Sequence, residues 1–223
     1  MIVQIYTLQS VEEALEVESV GVHNIGLAPA SIGLPGEISY ETAKSICDEV
    51  QNSKTVALSV SNNIEEIIEM VMFVKPDILH LCGEPGELNA SRVKILRDRL
   101  QSTDKEIPIM QAISVEDMSA VKFAKEYEDV SDYFILDTST SLVKGVGASG
   151  KVHDWNVSKA IVDSVKIPVV LAGGLSPENV RDAIEKVKPW GVDSLTHTNK
   201  TLDDGNFVKD ITKVREFFIN ATR

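Results

Sequence analysis

The sequence has little cysteine and little positive charge. Its 223 residues include only two cysteines, Cys47 and Cys82, and 22 Lys and Arg against 34 Asp and Glu, which gives a formal net charge of −12. Two cysteines are too few for a disulfide framework or a thiolate metal cluster. An excess of negative charge provides no long-range attraction for nucleic acid or for an anionic membrane. We therefore expect no metal and neither of these partners.

Long apolar stretches are also missing. No run approaches the roughly 20 apolar residues that cross a bilayer. The first residues, MIVQIYTLQ, lack the basic start and the apolar core of a secretory leader. Together with the low cysteine content, these absences predict a cytoplasmic protein.

The sequence instead shows a regular alternation of strand and helix patterns. Short runs rich in β-branched residues recur, and each is followed by apolar residues at helical spacing. Strands that alternate with helices pair in parallel through right-handed crossovers. Eight such units without a linker predict an α/β fold, a single-domain (β/α)8 TIM barrel over residues 1–223. The competing fold is a doubly wound open sheet, but no GxGxxG motif follows the first strand. The predicted strands cover residues 2–7, 24–28, 55–61, 77–83, 108–115, 133–139, 169–171 and 191–197, and the last helix is predicted from Val208.

The segment Pro168 to Val180, PVVLAGGLSPENV, joins the seventh strand to its helix through Gly173 and Gly174. Adjacent glycines before a helix let backbone N–H groups approach an anion, and barrels of this type often bind phosphate after strands seven and eight. The alternative is that the glycines only shape a tight turn. We predict a phosphate site here. The predicted N-caps are Ser10, Ser39, Asp154 and Ser176, with Pro177 at the first helical position after Ser176.

Asp137 is the strongest candidate for catalysis. It follows the apolar run 134–136, so its carboxylate is expected at the mouth of the barrel, where burial raises a carboxyl pKa and suits it to acid or base work. The alternative is a local hydrogen bond to Thr138 or Ser139. His80 and Cys82 share one side of the fourth strand, and there His80 is either a catalytic group or a hydrogen-bonded core histidine.

Several segments resemble a known family. They are the strand ending in Asp137, GASGKVHDW at 147–155, LAGGLSPENV at 171–180, LHLCG on the fourth strand, and a final VDS…DDG…KD arrangement that ends at Lys209-Asp210. Over nearly the whole chain the sequence resembles phosphoribosylanthranilate isomerase of tryptophan biosynthesis. This resemblance implies an Amadori rearrangement of a phosphoribosylated amine without metal or organic cofactor. A general acid opens the ribose ring, and a general base removes the C2′ proton.

Position by position, the resemblance makes Asp137 the general acid. It also assigns phosphate binding to Gly173 and Gly174 together with the backbone of Leu195, Thr196 and His197. The partner implied is a phosphorylated small molecule, bound by a monomer or a homodimer.

Two positions depart from the family pattern. The family opens with KICG, whose cysteine is the base, whereas this chain has Gln4-Ile5-Tyr6-Thr7, which places Tyr6 at the position of the base. A phenol starts from a pKa near 10 and a thiol from about 8.5, so Tyr6 is roughly 2 kcal/mol worse as a base. The family also has an arginine, in an SPR stretch, that binds the anthranilate carboxylate. Here the loop has Ser31-Ile32-Gly33, with no Arg or Lys between Pro29 and Tyr40.

These departures leave three functions open. The first is isomerisation of phosphoribosylanthranilate, and the second is isomerisation of another phosphosugar. The third is a barrel that binds a phosphorylated metabolite without catalysis. For either enzyme, His80 or Cys82 on the fourth strand is a candidate for a relocated base.

Overall fold

Eight parallel strands close into a barrel in a computed structural model that describes residues 1–83, 86–102, 106–138 and 153–223. Each strand pairs with its neighbours in chain order, and β1 closes the ring by pairing with β8, from Ile2 opposite Gly191 to Ile5 opposite Ser194. The prediction of a (β/α)8 barrel is confirmed. The strands are β1 (Ile2–Tyr6), β2 (Asn24–Leu27), β3 (Lys54–Ser59), β4 (Ile78–Leu81), β5 (Ile109–Ser114), β6 (Tyr133–Asp137), β7 (Val169–Leu171) and β8 (Gly191–Ser194).

Helices cover the outside of the barrel. They are α1 (Val11–Ser19), α2 (Tyr40–Glu49), α3 (Ile64–Val74), α4 (Ala90–Gln101), α5 (Ser119–Tyr127), α6 (Trp155–Ser164), α7 (Val180–Val187) and α8 (Ile211–Thr222). None of the helices in the described parts of the chain is long and apolar enough to cross a membrane.

The strands bury both of their faces, as parallel strands in a barrel must. One face packs against the helices and includes Ile5, Ile25 and Leu79. The other face fills the interior of the barrel with a separate cluster that includes Tyr6 and Ile135. A polar group at the C-terminal end of a strand is therefore held on a closely packed support.

Three of the four predicted N-caps are confirmed. Ser10 accepts a hydrogen bond from the Glu13 N–H at 3.2 Å, and Ser39 accepts one from the Thr42 N–H at 3.1 Å. Asp154 accepts one from the Asn156 N–H at 2.8 Å, so it caps α6. This N-cap role explains why an aspartate precedes Trp155, the first residue of the helix.

The predicted start of the seventh helix is wrong. The helix begins at Val180, and residues 176–179 form a turn before it. The side chain of Asn179 stabilises this turn, because its Oδ1 accepts from the Ser176 N–H at 2.8 Å and its Nδ2 donates to the Gly174 carbonyl at 3.0 Å. Pro177 therefore lies in the turn, and Ser176 is not the N-cap.

The predicted end of the chain also needs correction. Strand β8 stops at Ser194, and the predicted strand residues Thr196 and His197 lie in a short 3-10 helix, Thr196–Thr198. An antiparallel hairpin of β9 (Asn199–Thr201) and β10 (Phe207–Lys209) follows, so Val208 is in a strand. The last helix begins at Ile211, because Asp210 caps it by accepting from the Thr212 N–H at 3.1 Å.

Candidate active site

A cavity lies where β6, β7 and β8 end. It brings together all six residues that the sequence assigns to the acid and to phosphate binding, and it adds Asp193 and Ser194 from β8. The predicted residues that line it are Asp137, Gly173, Gly174, Leu195, Thr196 and His197. The long loop predicted at 140–151, Ser139 and most of the GASGKVHDW segment lie outside the described residues.

The glycine pair after β7 has a conformation and an environment that require glycine. Gly173 has a φ of 80° and Gly174 a φ of 67°, both in the left-handed region. A Cβ at Gly173 would lie 2.8 Å from His153 Nδ1 and 3.1 Å from Asp137 Oδ1. The bare backbone at this position therefore lies directly beside the carboxylate of Asp137.

Asp137 ends β6 after the buried run 134–136. Burial raises the pKa of its carboxyl to about 7, although the Thr138 N–H, which donates to Oδ1 at 2.6 Å, acts in the opposite direction. A carboxyl with this pKa holds its proton at neutral pH in an appreciable fraction of molecules. It is suited to donate that proton.

Asp193 is a second buried carboxyl, which the sequence analysis missed. Leu136 pairs with Leu171 and Leu171 with Val192, so the next residues along these strands place Asp137 and Asp193 on either side of Ala172. Burial raises the pKa of Asp193 to about 7, and the charge of Asp137 adds to this effect. Ala172 itself is buried in the interior cluster of the barrel.

A ladder of amide side chains holds Asp193. The Gln4 side chain donates through Nε2 to Asp193 Oδ1 at 3.1 Å, and Asn24 donates through Nδ2 to Gln4 Oε1 at 3.1 Å. The three residues are register partners on β8, β1 and β2. A signal for Asp193 was available in the sequence, since the VDS segment is part of the family resemblance.

Lys209, at the end of β10, is a buried cation beside the loop that follows β8. Its Nζ donates to the Leu195 carbonyl at 3.2 Å and to Asn199 Oδ1 at 2.6 Å. Burial lowers its pKa to about 7, and the carboxylates of Glu13 and Asp193 counteract part of that effect. The lysine therefore fixes the backbone that lines the cavity.

On β1 and β4, Tyr6 and His80 form a hydrogen-bonded pair. The Tyr6 hydroxyl lies 2.8 Å from His80 Nδ1, and both side chains are buried. Burial raises the pKa of Tyr6 well above its usual value and lowers that of His80 to about 3. Both groups are therefore neutral at pH 7. His80 Nε2 is buried without a hydrogen-bond partner among the described residues.

The ring of Tyr6 takes the space that a β2 side chain would occupy. Gly26 is its register partner, and a Cβ there would lie 2.4 Å from ring atoms of Tyr6. Cys82 belongs to the same interior cluster. The described residues that line the cavity at β6 to β8 do not include Tyr6, His80 or Cys82. The structure therefore groups these three candidates with one another and apart from Asp137.

A larger cleft of about 580 Å³ lies beside the ends of β2 and β3. Ser31 and Ile32, from the loop where the resemblance led us to expect an arginine, line this cleft, and so do Glu41, Glu66 and Glu69. Its described lining contains no Lys or Arg. In the described parts of the chain, no group of three His, Cys, Asp or Glu residues is arranged to hold a metal ion.

Comparisons with known proteins agree with one another. The family described as N-(5′-phosphoribosyl)anthranilate (PRA) isomerase matches residues 3–220. An isomerase of that name from Methanocaldococcus jannaschii is 30% identical in an alignment 222 positions long that covers 92% of this chain and 90% of that protein. Monomers derived from the dimeric enzyme of Thermotoga maritima superpose with a TM-score of 0.77 at 26% identity, over 99% of this chain and 98% of the other. A structure of such an isomerase in complex with reduced 1-(o-carboxyphenylamino)-1-deoxyribulose 5-phosphate gives 0.75 at 26% identity, with the same coverage.

Proposed function

The chain belongs to the N-(5′-phosphoribosyl)anthranilate isomerase family, and from this premise we propose that it isomerises a phosphoribosylated amine with Asp137 as the general acid. The observation that carries the proposal is the cavity in which Asp137 lies next to the bare backbone of Gly173. It combines a proton donor and a loop fit for an anion at one end of the barrel. We propose the cytoplasm as the location of this reaction.

The loops after β7 and β8 would bind the phosphate. The glycines offer backbone N–H groups without side chains in the way, and His197 also lines the cavity. Lys209 does not line the cavity, but it holds the carbonyl of Leu195 and so keeps the second loop in place. A phosphate bound here leaves the sugar attached to it close to Asp137.

Asp137 would then open the ribose ring. Its proton passes to the ring oxygen while the bond between C1′ and that oxygen breaks. The lone pair of the substrate nitrogen forms the C1′=N bond. The raised pKa of Asp137 supports this role, because the acid form is present at neutral pH.

The test uses freshly made phosphoribosylanthranilate and follows the loss of its fluorescence on addition of protein. We expect turnover by the wild type and a fall in kcat of about 10²- to 10⁴-fold in Asp137→Asn, the usual contribution of a general acid. Asp203→Asn, on an exposed residue of the β9–β10 turn, is the matched control. Equal rates in Asp137→Asn and the control would reject the assignment of the acid.

The cleft beside β2 and β3 favours a second candidate function. An anthranilate carboxylate placed there would meet Glu41, Glu66 and Glu69 without a cation to bind it. A substrate whose amine carries no carboxylate would avoid this repulsion. The second candidate is therefore an isomerase of the same reaction type that acts on an uncarboxylated phosphoribosylamine.

Phosphoribosylaniline, which lacks only the carboxylate, separates the two candidates. A higher kcat/KM for the aniline compound than for phosphoribosylanthranilate would support the second candidate, and the reverse order would support the first. Binding of both compounds without turnover would support the third possibility, a barrel that binds a phosphorylated metabolite and does not catalyse.

A further inference from the structure

We propose that Asp193 is the general base that removes the C2′ proton in this protein, opposite Asp137 as the acid. The inference rests on the proposed isomerase function. It gives the reaction a base within the cavity. By resemblance, Tyr6 stands at the position of the cysteine that is the base in the family.

The placement of Asp193 is the first argument. The register puts it on β8 as the counterpart of Asp137 on β6, with Ala172 of β7 between them, and both line one cavity. An isomerisation needs an acid and a base that reach adjacent atoms of one sugar. Two carboxyls that line one cavity from β6 and β8 are placed for this task.

The hydrogen bonds of Asp193 orient it for this task. Gln4 binds Oδ1, and Asn24 fixes Gln4 in turn. The hydrogen bonds found in the described parts of the chain leave Oδ2 of Asp193 for a ligand. The carboxylate is thus held by one oxygen and can present the other to the substrate.

Either of the two acids can hold the proton that the pair shares, and the proposed reaction begins with that proton on Asp137. Both pKa values are raised to about 7 by burial, so the pair retains one proton at neutral pH. For Asp193 the charge of Asp137 adds to the effect of burial, whereas the Gln4 amide and the Lys209 ammonium lower the pKa. For Asp137 the Thr138 N–H lowers it. Among the described residues Tyr6 also faces Asp193, and its phenol stays neutral.

The other candidates for the base are weaker. Tyr6 would have to lose its proton far above neutral pH, and burial makes His80 a poor proton acceptor, with a pKa of about 3. Neither is among the described residues that line the cavity. His197 does line it, but on the loop after β8 that we assign to the phosphate.

The proposed step conserves atoms and charge. After ring opening, Asp193 takes the proton from C2′, the electrons of that bond form C1′=C2′, and the C1′=N electrons move to nitrogen. The resulting enol gives its hydroxyl proton to Asp137, and C1′ takes the proton held by Asp193. Both carboxyls return to their starting states, and the product is the 1-amino-1-deoxyketose.

The test compares Asp193→Asn with Asp137→Asn on substrate carrying deuterium at C2′. We expect kcat of Asp193→Asn to fall about 10²- to 10⁴-fold with KM changed less than threefold. Proton removal then limits the rate, so the isotope effect on kcat rises above that of the wild type. In Asp137→Asn ring opening limits the rate, and the isotope effect falls towards one. Asp193→Glu, which keeps the carboxylate, should recover part of the rate.

A kcat of Asp193→Asn within tenfold of the wild type, or the same isotope effect in both variants, would overturn the inference. A wild type that turns over neither phosphoribosylanthranilate nor phosphoribosylaniline would instead overturn the proposed function. In that case ¹³C NMR of labelled aspartate decides about Asp193. A carboxyl that titrates above pH 5.5 and shifts to lower pH in Asp137→Asn supports the coupled pair, and an ordinary value for Asp193 rejects it.

Discussion

The two sides of the barrel mouth respond to burial in different ways. On the β6–β8 side, two carboxyls and a lysine are buried close together, and all three titrate near pH 7. On the β1–β4 side, Tyr6 and His80 are buried as a neutral pair that binds within itself. Burial alone makes an ionisable group neutral, whereas burial beside other ionisable groups keeps a proton available for transfer.

The contrast locates the chemistry of the molecule. The β6–β8 side contains Asp137, the glycine pair and Asp193 in one cavity. On the other side, the ring of Tyr6 fills the interior over Gly26. We infer that proton transfer belongs to the first side and that the second shapes the wall of the site.

The largest effect is expected on the β6–β8 side, from Gly173→Ala. The new Cβ would be 2.8 Å from His153 Nδ1, and alanine would have to adopt a φ of 80°. We expect a loss of about 2–4 kcal/mol in the free energy of unfolding, measured with urea. Gly205→Ala is the matched control, since Gly205 has a φ of 85° with nothing within 4 Å of its added Cβ. The Gly205→Ala variant should lose only about 1 kcal/mol in the free energy of unfolding. Equal losses in the two variants would show that the contact with His153 is unimportant.

On the β1–β4 side, Gly26→Ala tests whether the Tyr6 ring is packed as tightly as the contact indicates. Overlap with the ring should destabilise the protein by about 1–3 kcal/mol in urea unfolding. The same change in a Tyr6→Ala background should be harmless, because the ring is gone. Additive effects of the two substitutions would contradict the coupling between Tyr6 and Gly26.

The barrel and half of the candidate site were predictable from local sequence patterns. Eight repeats of strand and helix determine the barrel, and Asp137 stands out because it ends an apolar run. Contacts between distant segments were not predictable. The support of Asp193 by Gln4 and Asn24 spans three strands, and the fit of Tyr6 over Gly26 depends on the register of β1 and β2.

The late start of α7 has a similar cause. Ser176 and Pro177 form a sequence pattern typical of a helix start. The side chain of Asn179 nevertheless holds the turn by bonding to Ser176 and to Gly174. Propensity describes what a segment prefers in isolation, and here a side-chain contact with the glycine loop determines the result.

The smallest effect that still distinguishes the two sides is the pH dependence of stability in Asp193→Asn. In the unfolded chain Asp193 ionises near 3.8, but in the folded protein it keeps its proton up to about pH 7. Between these values the folded state binds more protons, so wild-type stability contributed by Asp193 falls as the pH rises. Asparagine does not titrate, and the variant should therefore gain on the order of 1–2 kcal/mol relative to wild type between pH 5.5 and 7. His80 and His153, whose pKa values are lowered to about 3 and about 4, act in the opposite direction but in both proteins alike, so they cancel in the difference. Parallel curves for Asp193→Asn and wild type in urea unfolding across this range would mean that Asp193 ionises at its ordinary pKa.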